Sequence, residues 1–145
     1  MRISVTSLDH LVLTVADISA SVDFYTTVMG MEHRTSATGR HSLHFGDSKI
    51  NLHRQGKEFQ PHARHPAPGS ADLCFLSDTP MDELGNHLEH CSVRIVAGPV
   101  RRTGAAGELL SIYFRDPDGN LIEVANPVSS GFSNSTPCKE TDNAA

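Results

Sequence analysis

Ile112-Tyr113-Phe114-Arg115-Asp116-Pro117-Asp118-Gly119-Asn120-Leu121-Ile122-Glu123-Val124 reads as a strand, a turn and a second strand. Tyr113 and Phe114 are strong strand formers, Asp116 to Gly119 is turn chemistry, and Leu121 to Val124 is apolar except at Glu123. Alternation along a strand puts Leu121, Glu123 and Ala125 on one face and Ile122 and Val124 on the other. A carboxylate among apolar neighbours is costly to bury unless something pairs with it. The stretch therefore predicts that the Glu123 face looks onto a site and the Ile122 face onto the core.

The first half of the chain carries a paler copy. Phe45-Gly46-Asp47-Ser48-Lys49-Ile50-Asn51-Leu52-His53 is again an aromatic, a turn with an acid, and a short apolar strand holding an ionisable residue. Phe45 to His53 is eight residues and Phe114 to Glu123 is nine, which matches His53 to Glu123. Upstream, Asp9 to Val15 and Ala71 to Leu76 are both strand-like and both run into a short helix pattern, which matches His10 to Asp72. The offsets of 62 for His10 to Asp72 and 70 for His53 to Glu123 indicate an internal repeat with loop insertions.

A chain of 145 residues suits one compact domain or two small halves that share a core. A formal net charge of −5, with 20% charged residues, gives no basis for a nucleic-acid or anionic-membrane partner. No signal-peptide core and no apolar run of about 18 residues occur, so the expectation is a cytoplasmic protein. Cys74, Cys91 and Cys138 share no spacing that would suggest a disulfide framework or a zinc knuckle, and reduced thiols fit best.

In chain order, the first module spans 1–54. Strand Leu8 to Val15 is followed by a helix capped by Asp17, with Ile18, Val22, Tyr25 and Val28 or Met29 at helical spacing and Gly30 at its end. Strands Glu32 to Ala37, His41 to Phe45 and Lys49 to Arg54 complete β-α-β-β-β. Residues 55–70, rich in Pro, Gly and His, form a connector over the surface. The second module, 71–128, repeats the order: strand Ala71 to Leu76; a helix capped by Thr79 with Pro80 first and Met81, Leu84, Leu88 and Cys91 on its apolar stripe; a short strand Arg94 to Ala97; and a basic loop Arg101 to Gly107 before the two strands quoted first. Residues 129–145 are too polar to order themselves. The fold class is α+β, two βαβββ modules.

Alternation sharpens this. Leu11, Leu13 and Val15; Ile50 and Leu52; Leu73 and Phe75; and Ile122 and Val124 make clean apolar faces. His10, His53, Asp72 and Glu123 lie on the opposite faces. If the two halves curve into one sheet, two imidazoles and two carboxylates line its concave side, a donor set suited to one divalent ion. The competing roles are ordinary ones: a strand-edge carboxylate paired with Arg115 for Glu123, a hydrogen-bonded core imidazole for His10, a solvated strand end for His53 and a strand start for Asp72. The other histidines read as surface residues, with His44 nearest to joining the set because it shares the face of a neighbouring strand.

The segment Asp9 to Val15, the helix with Phe24-Tyr25 and Met29-Gly30-Met31, and Tyr113 to Val124 resemble the vicinal oxygen chelate superfamily, the group of glyoxalases, bleomycin-resistance proteins and extradiol dioxygenases. Ile50 to His53 and Pro99 to Ala105 are similar to the small glyoxalase-domain proteins. The resemblance spans about Ser7 to Pro127. It implies paired βαβββ modules forming an open mixed β-barrel around a metal cleft that holds one divalent ion, zinc, nickel or another, often completed across a homodimer, with His10, His53, Asp72 and Glu123 as ligands. Small glyoxalase I enzymes usually show glutamate where His53 stands and histidine where Asp72 stands, so the middle pair is exchanged relative to the pattern.

The activity this resemblance implies is a glyoxalase I-like lyase or isomerase acting on hemithioacetals of α-oxoaldehydes, the methylglyoxal detoxification type, with glutathione or another thiol as cosubstrate. Glu123 or Asp72 would be the catalytic base, and Arg102, Tyr113 and Arg115 would hold the substrate. A fosfomycin-type thiol transferase is the second enzyme reading, weakened by Asp72 and by the lack of a potassium loop; an extradiol dioxygenase ranks third. A metal-free binding protein of the bleomycin-resistance sort is the non-enzyme alternative.

Overall fold

The computed structural model of the chain describes residues 1–128. The expected polar tail, 129–145, lies outside the described residues. The elements run β1 (His10–Val15), α1 (Ile18–Thr27), β2 (Glu32–Thr35), β3 (His41–Phe45), β4 (Ser48–Arg54), β5 (Asp72–Leu76), α2 (Met81–His90), β6 (Ala97–Thr103), β7 (Glu108–Arg115) and β8 (Leu121–Pro127).

They form two four-stranded mixed sheets, each with one helix, in the orders β1-β4-β3-β2 and β5-β8-β7-β6. The outer pairs β1·β4 and β5·β8 are parallel and the rest antiparallel. This is the expected duplication of βαβββ. The chain does not close a barrel on itself; each sheet keeps one open face.

Burial follows the alternation. Leu13, Val15, Ile50, Leu52, Ile122 and Val124 are buried, with Leu11, Leu73 and Phe75 packed against them. Helix α1 begins where Asp17 accepts the Ala20 N–H at 2.9 Å, as a capping side chain should, and buries Ser21 and Tyr25. Helix α2 differs from expectation at its start. Pro80, not Thr79, is the cap and no side chain caps it. Asp82 and Glu83 in its first turn and His87 and His90 in its last favour the helix dipole instead.

Two strand boundaries also shift. The first strand begins at His10 rather than Leu8, because the ladder with β4 starts at His10↔Lys49. The first three residues of the expected basic loop, Arg101 to Thr103, are strand: β6 runs to Thr103, pairing Arg102 with Leu109, and the expected strand at Arg94 starts only at Ala97. Pro99 lacks an N–H but sits on an edge strand, where that loss leaves no ladder bond unmade. The ladder shifts register between Ala97 and Val100. There Gly98, at φ +98°, passes so close to the Ser111 carbonyl that a Cβ would collide with it.

The turn quoted first does more than reverse the chain. Asp116 is buried and accepts the Asp118 and Asn120 N–H groups, both at 2.9 Å, and the Asn120 side-chain amide at 2.7 Å. From the other module, the Tyr25 hydroxyl donates to Asp116 at 2.6 Å, and the Ala16 N–H donates to Asp118 at 3.0 Å. Phe24 lies against Phe114 and Phe45 against Phe75. The second module's turn thus anchors the first module's helix.

Candidate metal and substrate site

Register places each candidate residue. On the open face of the second sheet, Cys74, Glu123 and Tyr113 lie side by side in one row across β5, β8 and β7. Asp72 is two residues back along β5, opposite Leu121, about 7 Å away along the strand. Glu123 is half-buried and accepts a 2.6 Å bond from the hydroxyl of Ser111, itself fully buried. Arg102 reaches in from β6, its Nε donating to the Tyr113 hydroxyl at 3.1 Å, with the guanidinium 5.5 Å from the ring centre. The expected partners Glu123, Tyr113 and Arg102 are therefore neighbours. Arg115 is exposed and donates to the Gly119 carbonyl at 3.1 Å, a turn contact.

Desolvation, then the hydrogen bond with Glu123, raises the Tyr113 hydroxyl above its ordinary value, which keeps it protonated and able to donate. Cys74 is exposed as a residue, yet desolvation of its thiol against the sheet, followed by the Glu123 charge, pushes it up to about 11. Its thiolate fraction near neutral pH is correspondingly small. Iodoacetamide is expected to label Cys74 about ten- to hundredfold more slowly than a free thiol at the same pH. Faster labelling in Glu123→Gln, followed by peptide mass spectrometry, would tie the effect to that carboxylate; unhindered wild-type labelling would refute it.

The first sheet differs from the sequence reading at His53. His10 pairs with Lys49, and Asn51 with Val12, whereas His53 stands opposite Thr14. That puts His53 four residues beyond His10, about 13 Å along the strands, farther than two imidazoles on one face reach toward one ion. With His10 matched to Asp72, the residue in Glu123's place is Asn51. His53 is instead buried under the connector, edge to face with Phe59 at 5.4 Å, its Nδ1 without a partner among the described residues, and the Arg40 guanidinium lies 4.3 Å from the Phe59 ring centre. It helps line a cleft of about 230 Å³ between Val12 and the connector residues Pro61 to Ala67. His10 is exposed, its Nδ1 held by Asp9 at 2.7 Å, which leaves Nε2 for a ligand. His44 shares the face and the row of His10, across Lys49, and pairs with the Ser42 hydroxyl at 2.9 Å.

The chemistry of the donors fits a divalent ion, since an imidazole, two carboxylates and the Asn51 amide are all first-row metal ligands. Among the described residues of one chain, however, no three His, Cys, Asp or Glu side chains come together. His10 and Asn51 form one half of the set on the first sheet; Asp72 and Glu123 form the other on the second.

Residues 7–124 match the family model of the Glyoxalase/Bleomycin resistance protein/Dioxygenase superfamily. The virulence protein STM3117 of Salmonella typhimurium is 53% identical over 121 residues, 83% of this chain and 84% of that one. Its crystal structure superposes with a TM-score of 0.85 at 51% identity, covering 87% of this chain and all of the other. The glyoxalase domain-containing protein RDO1 of Mycosarcoma maydis is 50% identical over 125 residues, 86% of this chain and 70% of that protein. A lactoylglutathione lyase from Agrobacterium tumefaciens is more distant, with a TM-score of 0.66 at 25% identity over 85% of this chain and 95% of the other.

Proposed function

Because the chain belongs to the Glyoxalase/Bleomycin resistance protein/Dioxygenase superfamily, we propose that it is a metal-dependent lyase or isomerase of the glyoxalase I type, acting on hemithioacetals of α-oxoaldehydes and a thiol. The observation that carries this reading is the row around Glu123: a carboxylate oriented by Ser111 and flanked by a protonated phenol that an arginine holds in place.

His10, Asp72 and Glu123, with the Asn51 amide oxygen, would hold the ion, and a bound divalent ion would polarise the substrate's two adjacent oxygens. The remaining steps belong to this chain's side chains. Glu123 is the group placed to move a proton between the two substrate carbons, with Ser111 fixing one of its oxygens. Tyr113 donates to a substrate oxygen, and Arg102 binds the carboxylate of the thiol cosubstrate, by the preference of guanidinium for carboxylates.

The two half-sets require a second copy of the chain, the first module of one copy facing the second module of the other. The exposed apolar side chains support this partner: Ile3, Val5 and Leu8 precede β1, while Val12 and Leu76 project from the two open faces, 45% and 65% exposed. Each is the kind of exposed apolar side chain that association with a second copy would cover.

The test is metal content of wild type and Glu123→Ala, with turnover of the methylglyoxal–glutathione hemithioacetal. About one divalent ion per chain retained by wild type after dialysis against metal-free buffer, and lost with turnover in the variant, is the expected result. A wild type that retains no more divalent ion than Glu123→Ala after reconstitution and that dialysis would overturn the enzyme reading and leave a ligand-binding protein.

A further inference from the structure

His33 and His41 lie outside the cleft. His33 is paired with Leu43 and His41 with Leu52, so both stand on the helix side of the first sheet, the face opposite His10, at the outer edge of the β2–β3 hairpin. Both are partly exposed. Their rings are nearly parallel, 13° apart, and His33 Nε2 meets His41 Nδ1 at 2.9 Å. The Thr35 hydroxyl completes a triangle, 3.4 Å from His33 Nε2 and 3.5 Å from His41 Nδ1.

We propose that His33, His41 and Thr35 form a second metal site, one that takes a borderline divalent transition ion such as zinc and operates within a single chain. The argument is dimensional. Ligand atoms about 2.0–2.1 Å from zinc lie about 3.4 Å apart at the corners of a tetrahedron and about 2.9 Å apart at adjacent corners of an octahedron. The edges of 2.9 and 3.4 Å fall within that span and the third, 3.5 Å, lies a tenth of an ångström beyond it; because the two rings lie end to end, with centres 5.2 Å apart, an ion enters once each ring turns by about 35–45° so that the two lone pairs converge. Imidazole selects zinc, copper or nickel over magnesium or calcium, and no carboxylate lies within the triangle to favour the harder ions.

Proton balance permits it. Each neutral imidazole carries one proton, and one of the two rings now donates it across the 2.9 Å contact. On binding, that ring takes its other tautomer, its proton moving to the outward nitrogen, and both facing nitrogens present lone pairs. No proton is released from the neutral pair, and no other reactant is consumed.

With three protein donors and water completing the shell, the site is weaker than a closed four-ligand structural site. It is also separable from the cleft. Equilibrium dialysis against zinc, from micromolar to millimolar, is the test, run on the full chain carrying Glu123→Ala and on the same chain with His33→Gln and His41→Gln added. The expected result is one zinc bound by the Glu123→Ala chain, with affinity falling about tenfold or more in the triple variant. Thr35→Val should weaken it less. Unfolding midpoints in EDTA, equal for all variants, would show that the imidazoles act as ligands and not as packing. In NMR spectra of the Glu123→Ala chain, the ring protons of His33 and His41 should shift together as zinc is added. Equal zinc uptake by the triple variant, or none by the Glu123→Ala chain up to millimolar zinc, would overturn the proposal.

Discussion

Asp116→Ala is expected to cost roughly 3–5 kcal/mol of stability, the largest structural effect of any single substitution considered for this chain. The carboxylate is 5% exposed and accepts four hydrogen bonds: from two backbone amides, the Asn120 amide and the Tyr25 hydroxyl. Truncation leaves all four donors buried without an acceptor, and each unsatisfied group costs about 1–3 kcal/mol before the turn relaxes. Burial and the Asp116 contact also hold the Tyr25 hydroxyl far above its ordinary range, so it remains a donor at neutral pH and cannot compensate by ionising. For a chain of this size the loss corresponds to about 10–15 °C in Tm. Tyr25→Phe, which removes one donor and keeps the ring, should lose only about 1–2 kcal/mol. Urea unfolding of both variants checks this, and an Asp116→Ala cost no larger than that of Tyr25→Phe would mean the turn reorganises freely.

The largest functional effect is expected from mixing. His10→Ala and Glu123→Ala should each be inactive alone, because each breaks one half of the proposed site. Mixed in equal amounts and allowed to exchange subunits, half of the dimers would be heterodimers, and in each of these one of the two sites would be intact, with the unaltered first module of one chain facing the unaltered second module of the other. Turnover and bound metal should both recover to about a quarter of wild type. A site contained in one chain would recover nothing, because every copy would still lack one ligand. Size-exclusion chromatography with light scattering on the mixture separates failure to exchange from failure to complement.

Much of this was legible in the sequence, and the one large misplacement has a simple physical origin. The face alternation around Glu123 identified core and open sides in both modules because burial has a period of two along a strand. A slip of one residue would have turned Glu123 into the core and been noticed at once. Matching His53 to Glu123 was a slip of two, which keeps the side chain on the same face and so leaves no trace in the hydrophobic pattern. Phe45 is a false anchor, aromatic like Phe114 but two residues out of step with it. In the ladder the counterpart of Phe114 is Leu43, since Leu43 pairs with Ile50 as Phe114 pairs with Ile122. Asn51 could have been found only through the pairing of β1 with β4, which no local pattern encodes. Strand β6 was hidden for a different reason, since Gly98, Pro99 and two arginines read as loop until an edge position makes them tolerable. The His33–His41 contact was also invisible, because it depends on the hairpin register, Thr35 opposite His41.

The bond from Tyr25 to Asp116 bears on what the duplication means for folding. A repeat whose halves were self-sufficient could be cut in the connector and leave two folded pieces. Here the first piece would expose a buried phenol with no acceptor and Phe24 without the Phe114 ring, and the second would hold a buried carboxylate short of one donor. The halves share one pattern, yet they are expected to unfold as a single cooperative unit, and a protease that opens residues 55–70 would release fragments that persist only while they remain bound to each other.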